Sequence, residues 1–111
     1  MEENKDGVYL RHILEAIESI EEYLKGFNYE AFLKDKKTID AVVRELEIIG
    51  EASKKLSPDF KDLHNEFPWQ DMAGMRDKLI HEYFGVDLVV VWETVKQDLP
   101  NLKRKLETFN L

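Results

Sequence analysis

The sequence predicts an all-α protein: an up-and-down bundle of four main helices with short connecting and C-terminal helices, in one domain of residues 1–111. Apolar residues recur at the 3.6-residue spacing of amphipathic helices, and no segment alternates apolar and polar residues as a half-buried strand would. Glycine, proline and capping residues separate the helical stretches. A length of 111 residues suits one hydrophobic core and is too small for two.

The first helix is predicted from about Asp6 to Lys25 because its apolar residues form one stripe. Gly26 then interrupts the helix, and Asn28 is a suitable N-cap for the next one. The stripe consists of Tyr9, Ile13, Ile17, Ile20 and Leu24, with Ala16 and Tyr23 beside it.

The second helix is predicted as one long element from about Tyr29 to Leu56, roughly 40 Å at 1.5 Å per residue. Gly50 lowers helix propensity by about 1 kcal/mol relative to alanine, which suggests close packing against a neighbouring helix. The adjacent Glu51 has two equally weighted interpretations: it orients a functional site, or it is an exposed carboxylate. The apolar face consists of Phe32, Ile39, Val42, Leu46, Ile49, Ser53 and Leu56.

Ser57 and Pro58 indicate a new helix start, with serine as N-cap and proline at the first helical position. This short connector is predicted to reach about His64. Residues 67–69, Phe-Pro-Trp, lead into the third main helix. Its predicted apolar row is Met72, Met75, Leu79 and Tyr83.

Gly85 is a natural stop for that third helix, and Asp87 is predicted to cap the fourth. Residues 88–92, Leu-Val-Val-Val-Trp, are apolar over more than one helix face. Such a helix requires cover from more than one side, which favours a second protomer and hence a homodimer. Pro100 ends or kinks this helix, and residues 102–109 form a last amphipathic turn or two.

Composition narrows the functional classes. The chain has no cysteine, which excludes disulfides and thiolate metal sites and suits a reducing cytoplasm. The hydrophilic N-terminus argues against a signal peptide. The lack of a long apolar run argues against a membrane span. The histidines, at 12, 64 and 81, are scattered, so neither a metal site nor any other cofactor is predicted.

The stretch from Arg76 to Tyr83 brings together an arginine, a histidine and a tyrosine. Arginine can hold a phosphate through two parallel hydrogen bonds, and histidine can exchange a proton near neutral pH. On a straight helix, however, Arg76 and His81 would lie roughly 140° apart. A helix end or a second copy of the chain would bring them to one phosphate. The structural alternative is a surface ion pair for Arg76, a helix-end cation for His81 and a core position for Tyr83.

With these residues the chain resembles the HepT-like ribonuclease toxins of the HEPN superfamily, whose motif Arg-x4-His-x-Tyr is matched by Arg76, His81 and Tyr83. The likeness covers nearly the whole chain. Further matching segments are residues 44–52, 68–69, 81–85, 91–92 and 99–100.

The resemblance implies a dimeric HEPN-like fold and a metal-independent endoribonuclease toxin that cuts tRNA or mRNA in the dimer cleft. It implies Arg76 and His81 as catalytic residues and a partner, an MntA-like minimal nucleotidyltransferase antitoxin, that attaches AMP to Tyr83. Neither DNA nor a membrane is an expected partner. The net charge of −7 instead favours an alternative, a non-catalytic helical module that binds and regulates a nucleotidyltransferase or binds a nucleotide.

Overall fold

The computed structural model describes residues 5–80 and 87–111, and for residues 75–80 it describes the backbone alone. All regular structure in these ranges is helical, which confirms the all-α prediction. Helix α3 packs against both α1 and α5, and α1 also contacts α7. The elements are α1 (Asp6–Tyr23), α2 (Tyr29–Leu33), α3 (Lys36–Lys55), α4 (Pro58–Leu63), α5 (Trp69–Ile80), α6 (Leu88–Glu93), a π-helical segment (Thr94–Asp98) and α7 (Leu99–Glu107).

Helix α1 begins at a buried aspartate that ties it to α4. Asp6 is only 7% exposed, and its carboxylate accepts hydrogen bonds from the backbone N–H of Ser57 at 2.8 Å and from the Ser57 hydroxyl at 2.7 Å. The predicted stripe is confirmed for the buried residues Ile13, Ile17, Ile20 and Leu24 and for Ala16 beside them. Leu10 is also buried, whereas Tyr9 is half-buried and Tyr23 is exposed.

The prediction of one helix from Tyr29 to Leu56 is wrong, because the chain forms two helices there. Asp35 takes an extended conformation, and its side chain accepts a hydrogen bond from the Thr38 N–H at 3.1 Å. A capping aspartate satisfies a backbone donor that would otherwise lack a partner at a helix start. Helix α2 is therefore a separate element, and its Phe32 is fully buried. The predicted N-cap Asn28 is confirmed by its bond from the Ala31 N–H at 2.8 Å.

Helix α3 is the central element of the bundle. Its core face, Val42, Leu46, Ile49, Ser53 and neighbouring Leu56, is buried as predicted, whereas Ile39 is half-buried. The buried Ser53 hydroxyl donates to the Ile49 carbonyl at 2.7 Å. Its polar atom therefore costs little inside the core.

Two further helix starts are confirmed. The Ser57 hydroxyl accepts a hydrogen bond from the Phe60 N–H at 3.2 Å, with Pro58 at the first position of α4. The Asp87 carboxylate accepts from the N–H groups of Val89 and Val90 at 3.1 and 3.2 Å.

Pro100 neither ends the last helix nor simply kinks it. The chain stays helical from α6 through the π segment into α7, and the Leu99 N–H bonds to the Thr94 carbonyl five residues earlier. Proline has no N–H and its ring clashes with the carbonyl four residues before it, so a widened turn accommodates it. Within the described residues, no helix combines the length and the apolarity that crossing a membrane would require.

Candidate active site

The start of α5, the helix that carries Arg76, is anchored by an aromatic cluster. Phe67 and Trp69 are buried and stacked, with ring centroids 4.5 Å apart and planes at 17°. The Trp69 indole N–H donates to the His64 carbonyl at 2.9 Å. Phe109, beyond the end of α7, stacks on Phe67 at 5.7 Å. The first turn of α5 is thus bound to both α4 and the C-terminal segment.

Arg76 lies in the second half of α5, whose backbone is helical through Ile80. Its side chain is outside the described part of the structure, and His81 and Tyr83 lie outside the described residues altogether, as does the predicted helix stop Gly85. The assignment of these three motif residues to a catalytic site therefore stays a prediction from the sequence.

Helix α3 presents polar residues to a groove of about 320 Å³ that it forms with α1. Glu51 lies in this groove and is half-buried, which contradicts the interpretation of it as an exposed carboxylate. Arg44 and Glu47 form an ion pair at 3.8 Å across one turn of α3. His12 also lines the groove. Acidic and basic side chains are mixed here, so the groove has no single sign of charge.

A larger cavity of about 740 Å³ separates the first half of α5 from α6, the π segment and α7. Sequence reasoning did not identify it. Its floor is made of the buried residues Leu46, Met72, Val91, Leu99 and Leu102. Its rim is made of the exposed polar residues Gln70, Asp71, Asp98, Asn101 and Lys105.

The rim carries both charged and neutral hydrogen-bonding groups. Within the described part of the chain, neither the Asp71 nor the Asp98 carboxylate makes a hydrogen bond or an ion pair. The Lys105 ammonium instead donates to the Glu66 carbonyl at 3.3 Å and lies 5.6 Å from the centre of the Phe67 ring. The two carboxylates are therefore available to accept hydrogen bonds from a ligand.

One lysine outside this cavity has a perturbed pKa. The hydrogen bond from Lys103 to Glu21, at 2.8 Å, raises the pKa of the Lys103 ammonium, with a further contribution from the nearby Glu107. This pair joins α7 to α1, and neither of its residues lines the cavity. Among the described residues, no group of three or more histidine, cysteine or acidic side chains is arranged to hold a metal ion.

The sequence is similar to one protein family and to several named proteins. A family model described as "Ribonuclease HepT-like" matches residues 13–109. A protein of Thermococcus cleftensis named "Probable ribonuclease HepT" is 63% identical over 99 residues, which cover 89% of this chain and 90% of that protein. A Caldanaerobacter subterraneus protein with a provisional RNase name is 48% identical over 99 residues, which cover 89% of this chain and 88% of that protein. No solved structure matches the chain.

Proposed function

The chain belongs to the Ribonuclease HepT-like family, and on that premise we propose that it is a metal-independent endoribonuclease toxin that cuts tRNA or mRNA. The observation that carries the proposal is the complete motif of Arg76, His81 and Tyr83 within the matched residues 13–109. An arginine and a histidine at this spacing are by themselves a weak signal. The family match therefore strengthens the interpretation of the motif.

In the proposed mechanism the ribose 2′-hydroxyl of the RNA is the nucleophile. His81 takes the proton from this hydroxyl or supplies one to the leaving oxygen, and Arg76 stabilises the charge that builds up on the phosphate. The 2′-hydroxyl attacks phosphorus, the bond to the 5′-oxygen of the next nucleotide breaks, and a cyclic phosphate results. DNA lacks this hydroxyl, so it is not a substrate for this reaction.

We propose that two copies of the chain form the active cleft. On a continuous helix, Arg76 and His81 would lie roughly 140° apart, and a symmetric partner could complete the site from the other side. Helix α6 supports this, because Val89 is 50% exposed on a helix that begins with five apolar residues. Two copies of Arg76 would also give a local positive potential to a body with a net charge of −7.

We further propose that a minimal nucleotidyltransferase antitoxin neutralises the enzyme in the cytoplasm by attaching AMP to Tyr83. The added phosphodiester would compete with RNA for the Arg76 guanidinium and fill the cleft. A Tyr83→Phe enzyme should therefore stay active after incubation with the antitoxin and ATP, whereas the wild type gains the mass of AMP and loses activity. Full neutralisation of Tyr83→Phe by catalytic amounts of the antitoxin would contradict this part of the proposal.

The proposed ribonuclease activity is tested with tRNA and mRNA in buffer containing a metal chelator. The wild type, His81→Ala and the control His12→Ala are purified without a partner and checked by mass for added AMP. His12 is a suitable control because its side chain is exposed on α1. We expect His81→Ala to lose about a hundredfold to ten-thousandfold in rate, the usual contribution of a positioned acid or base. Equal cleavage by His81→Ala and the wild type would refute the role of His81.

One observation favours a second function. The 23 acidic against 16 basic residues are unusual for a protein that binds RNA, and they suit a non-catalytic module that regulates a nucleotidyltransferase or binds a nucleotide. Intact RNA after incubation with unmodified wild-type protein would support this second function over the first.

A further inference from the structure

The cavity between α5 and α7 has the two kinds of surface that a nucleobase requires. Its floor is apolar, which suits the flat face of a base, and its rim is polar, which suits the hydrogen-bonding edge. Its volume of about 740 Å³ is in the range of small-molecule sites. Ribonucleases that read sequence commonly do so on unstacked, single-stranded bases.

Two rim residues have a matched donor and acceptor pattern. Asp98 and Asn101 are three residues apart where the π segment joins α7, so they lie on neighbouring positions of one helix face. The Asn101 side-chain carbonyl accepts a hydrogen bond from the Arg104 guanidinium. Arginine can only donate, which leaves the Asn101 NH₂ group for a ligand acceptor. The Asp98 carboxylate, when ionised, can only accept.

This pattern distinguishes among the bases. Guanine presents a carbonyl acceptor next to two donors, the ring N–H and the exocyclic amino group, on one edge. A carboxylate can take both donors while an amide NH₂ reaches the carbonyl. Uracil has no amino group, and adenine has no carbonyl. The backbone phosphate is disfavoured there, because the carboxylates of Asp71 and Asp98, which have no ion-pair partner among the described residues, would repel it.

The cavity adjoins the proposed catalytic motif along α5. Gly74 lines the cavity, and position 78, four residues later, lies on the same face of the helix. This face of α5 therefore extends from the cavity to position 78, which is three residues before His81 in the sequence. The rise from Gly74 to Ile80 is about 9 Å along the helix axis, so one RNA strand can span the distance from the cavity to the end of α5. Position 76 is on nearly the opposite side of α5, roughly 160° from Gly74, so position 76 of the same copy does not lie on the cavity face.

We propose that this cavity binds a guanine base of the RNA next to the cleaved bond, with Asp98 and Asn101 as the residues that determine base specificity. This inference rests on the proposed ribonuclease function and adds its sequence preference.

The test uses short uridine-rich RNA oligonucleotides that carry either one guanine or one inosine at the same position. Inosine lacks only the exocyclic amino group. We expect the wild type to cleave the guanine oligonucleotide with a kcat/KM about tenfold higher, the discrimination typical of a paired hydrogen-bond contact to a base. Asp98→Asn should remove this preference. The control Asp62→Asn, an exposed aspartate on α4 outside the cavity, should keep it.

A binding arm separates this inference from the proposed function. The same oligonucleotides are titrated onto His81→Ala with and without Asp98→Asn, and circular dichroism confirms that each variant is folded. Guanine-selective binding that depends on Asp98, without cleavage by the wild type, would support the cavity assignment and refute the nuclease. Cleavage and binding that do not distinguish guanine from inosine, or a preference that survives Asp98→Asn, would overturn the cavity assignment.

Discussion

The hydrogen bonds between Asp6 and Ser57 should contribute substantially to the stability of the fold. They join the first turn of α1 to the N-cap of α4 across 51 residues of sequence. The carboxylate is buried, so its bonds to Ser57, at 2.7 and 2.8 Å, are largely shielded from water. Asp6→Ala removes both and leaves the Ser57 N–H without its acceptor.

The size of the effect follows from these contacts. A hydrogen bond to a charged group contributes about 1.5–3 kcal/mol. Ser57 is half-buried, so water can replace part of the loss, and we expect a net cost of about 2–4 kcal/mol for Asp6→Ala. With an unfolding entropy of about 2.1 cal/mol/K per residue, 111 residues give about 0.23 kcal/mol/K, so Tm should fall by about 9–17 °C.

The assay is urea and thermal unfolding of the wild type, Asp6→Ala, Asp6→Asn and the control Asp62→Ala. Asp62 is an exposed carboxylate on α4, so its removal makes the same change in net charge without touching the contact between α1 and α4. Asp6→Asn keeps the shape and one acceptor oxygen, and it should fall between Asp6→Ala and the wild type. If Asp6→Ala costs no more than Asp62→Ala, the reasoning from these bonds is refuted.

Two further predictions concern α7. Leu106→Ala should lower the free energy of unfolding in urea by about 2–5 kcal/mol because the side chain is fully buried, whereas Leu63→Ala, at a residue 76% exposed, should change it by less than about 0.5 kcal/mol. Lys103→Gln should cost about 0.2–1 kcal/mol at neutral pH and low salt, measured in a double-mutant cycle with Glu21→Gln. Because the pKa of Lys103 is raised in the folded state, this contribution is fully present below the ordinary lysine pKa and is lost as the pH rises through the raised value; a coupling energy that persists at higher pH would contradict it.

The helices themselves were well predicted because their signals are local. Apolar periodicity placed the buried faces of α1 and α3, and the side chains of Asn28, Ser57 and Asp87 marked three helix starts that the structure confirms. The break at Asp35 was also encoded locally, by an aspartate that competes for the helix backbone. Continuous apolar periodicity concealed it, because a short interruption shifts the stripe too little to be noticed.

The candidate site likewise has one part that the sequence predicted and one part that it did not. Arg76, His81 and Tyr83 lie within eight residues of one another in the sequence, so the motif and its family could be recognised without coordinates. The cavity lined by Asp98 and Asn101 could not, since its other wall comes from α5, roughly 30 residues earlier in the chain. The position of the cavity depends on how α5 and α7 pack into the core, where Trp69 and Leu99 are both buried. The sequence by itself thus determined where most of the helices lie and which residues form the proposed catalytic motif. The tertiary structure alone decided which polar groups share one cavity, because such a space arises only when distant elements pack against one another.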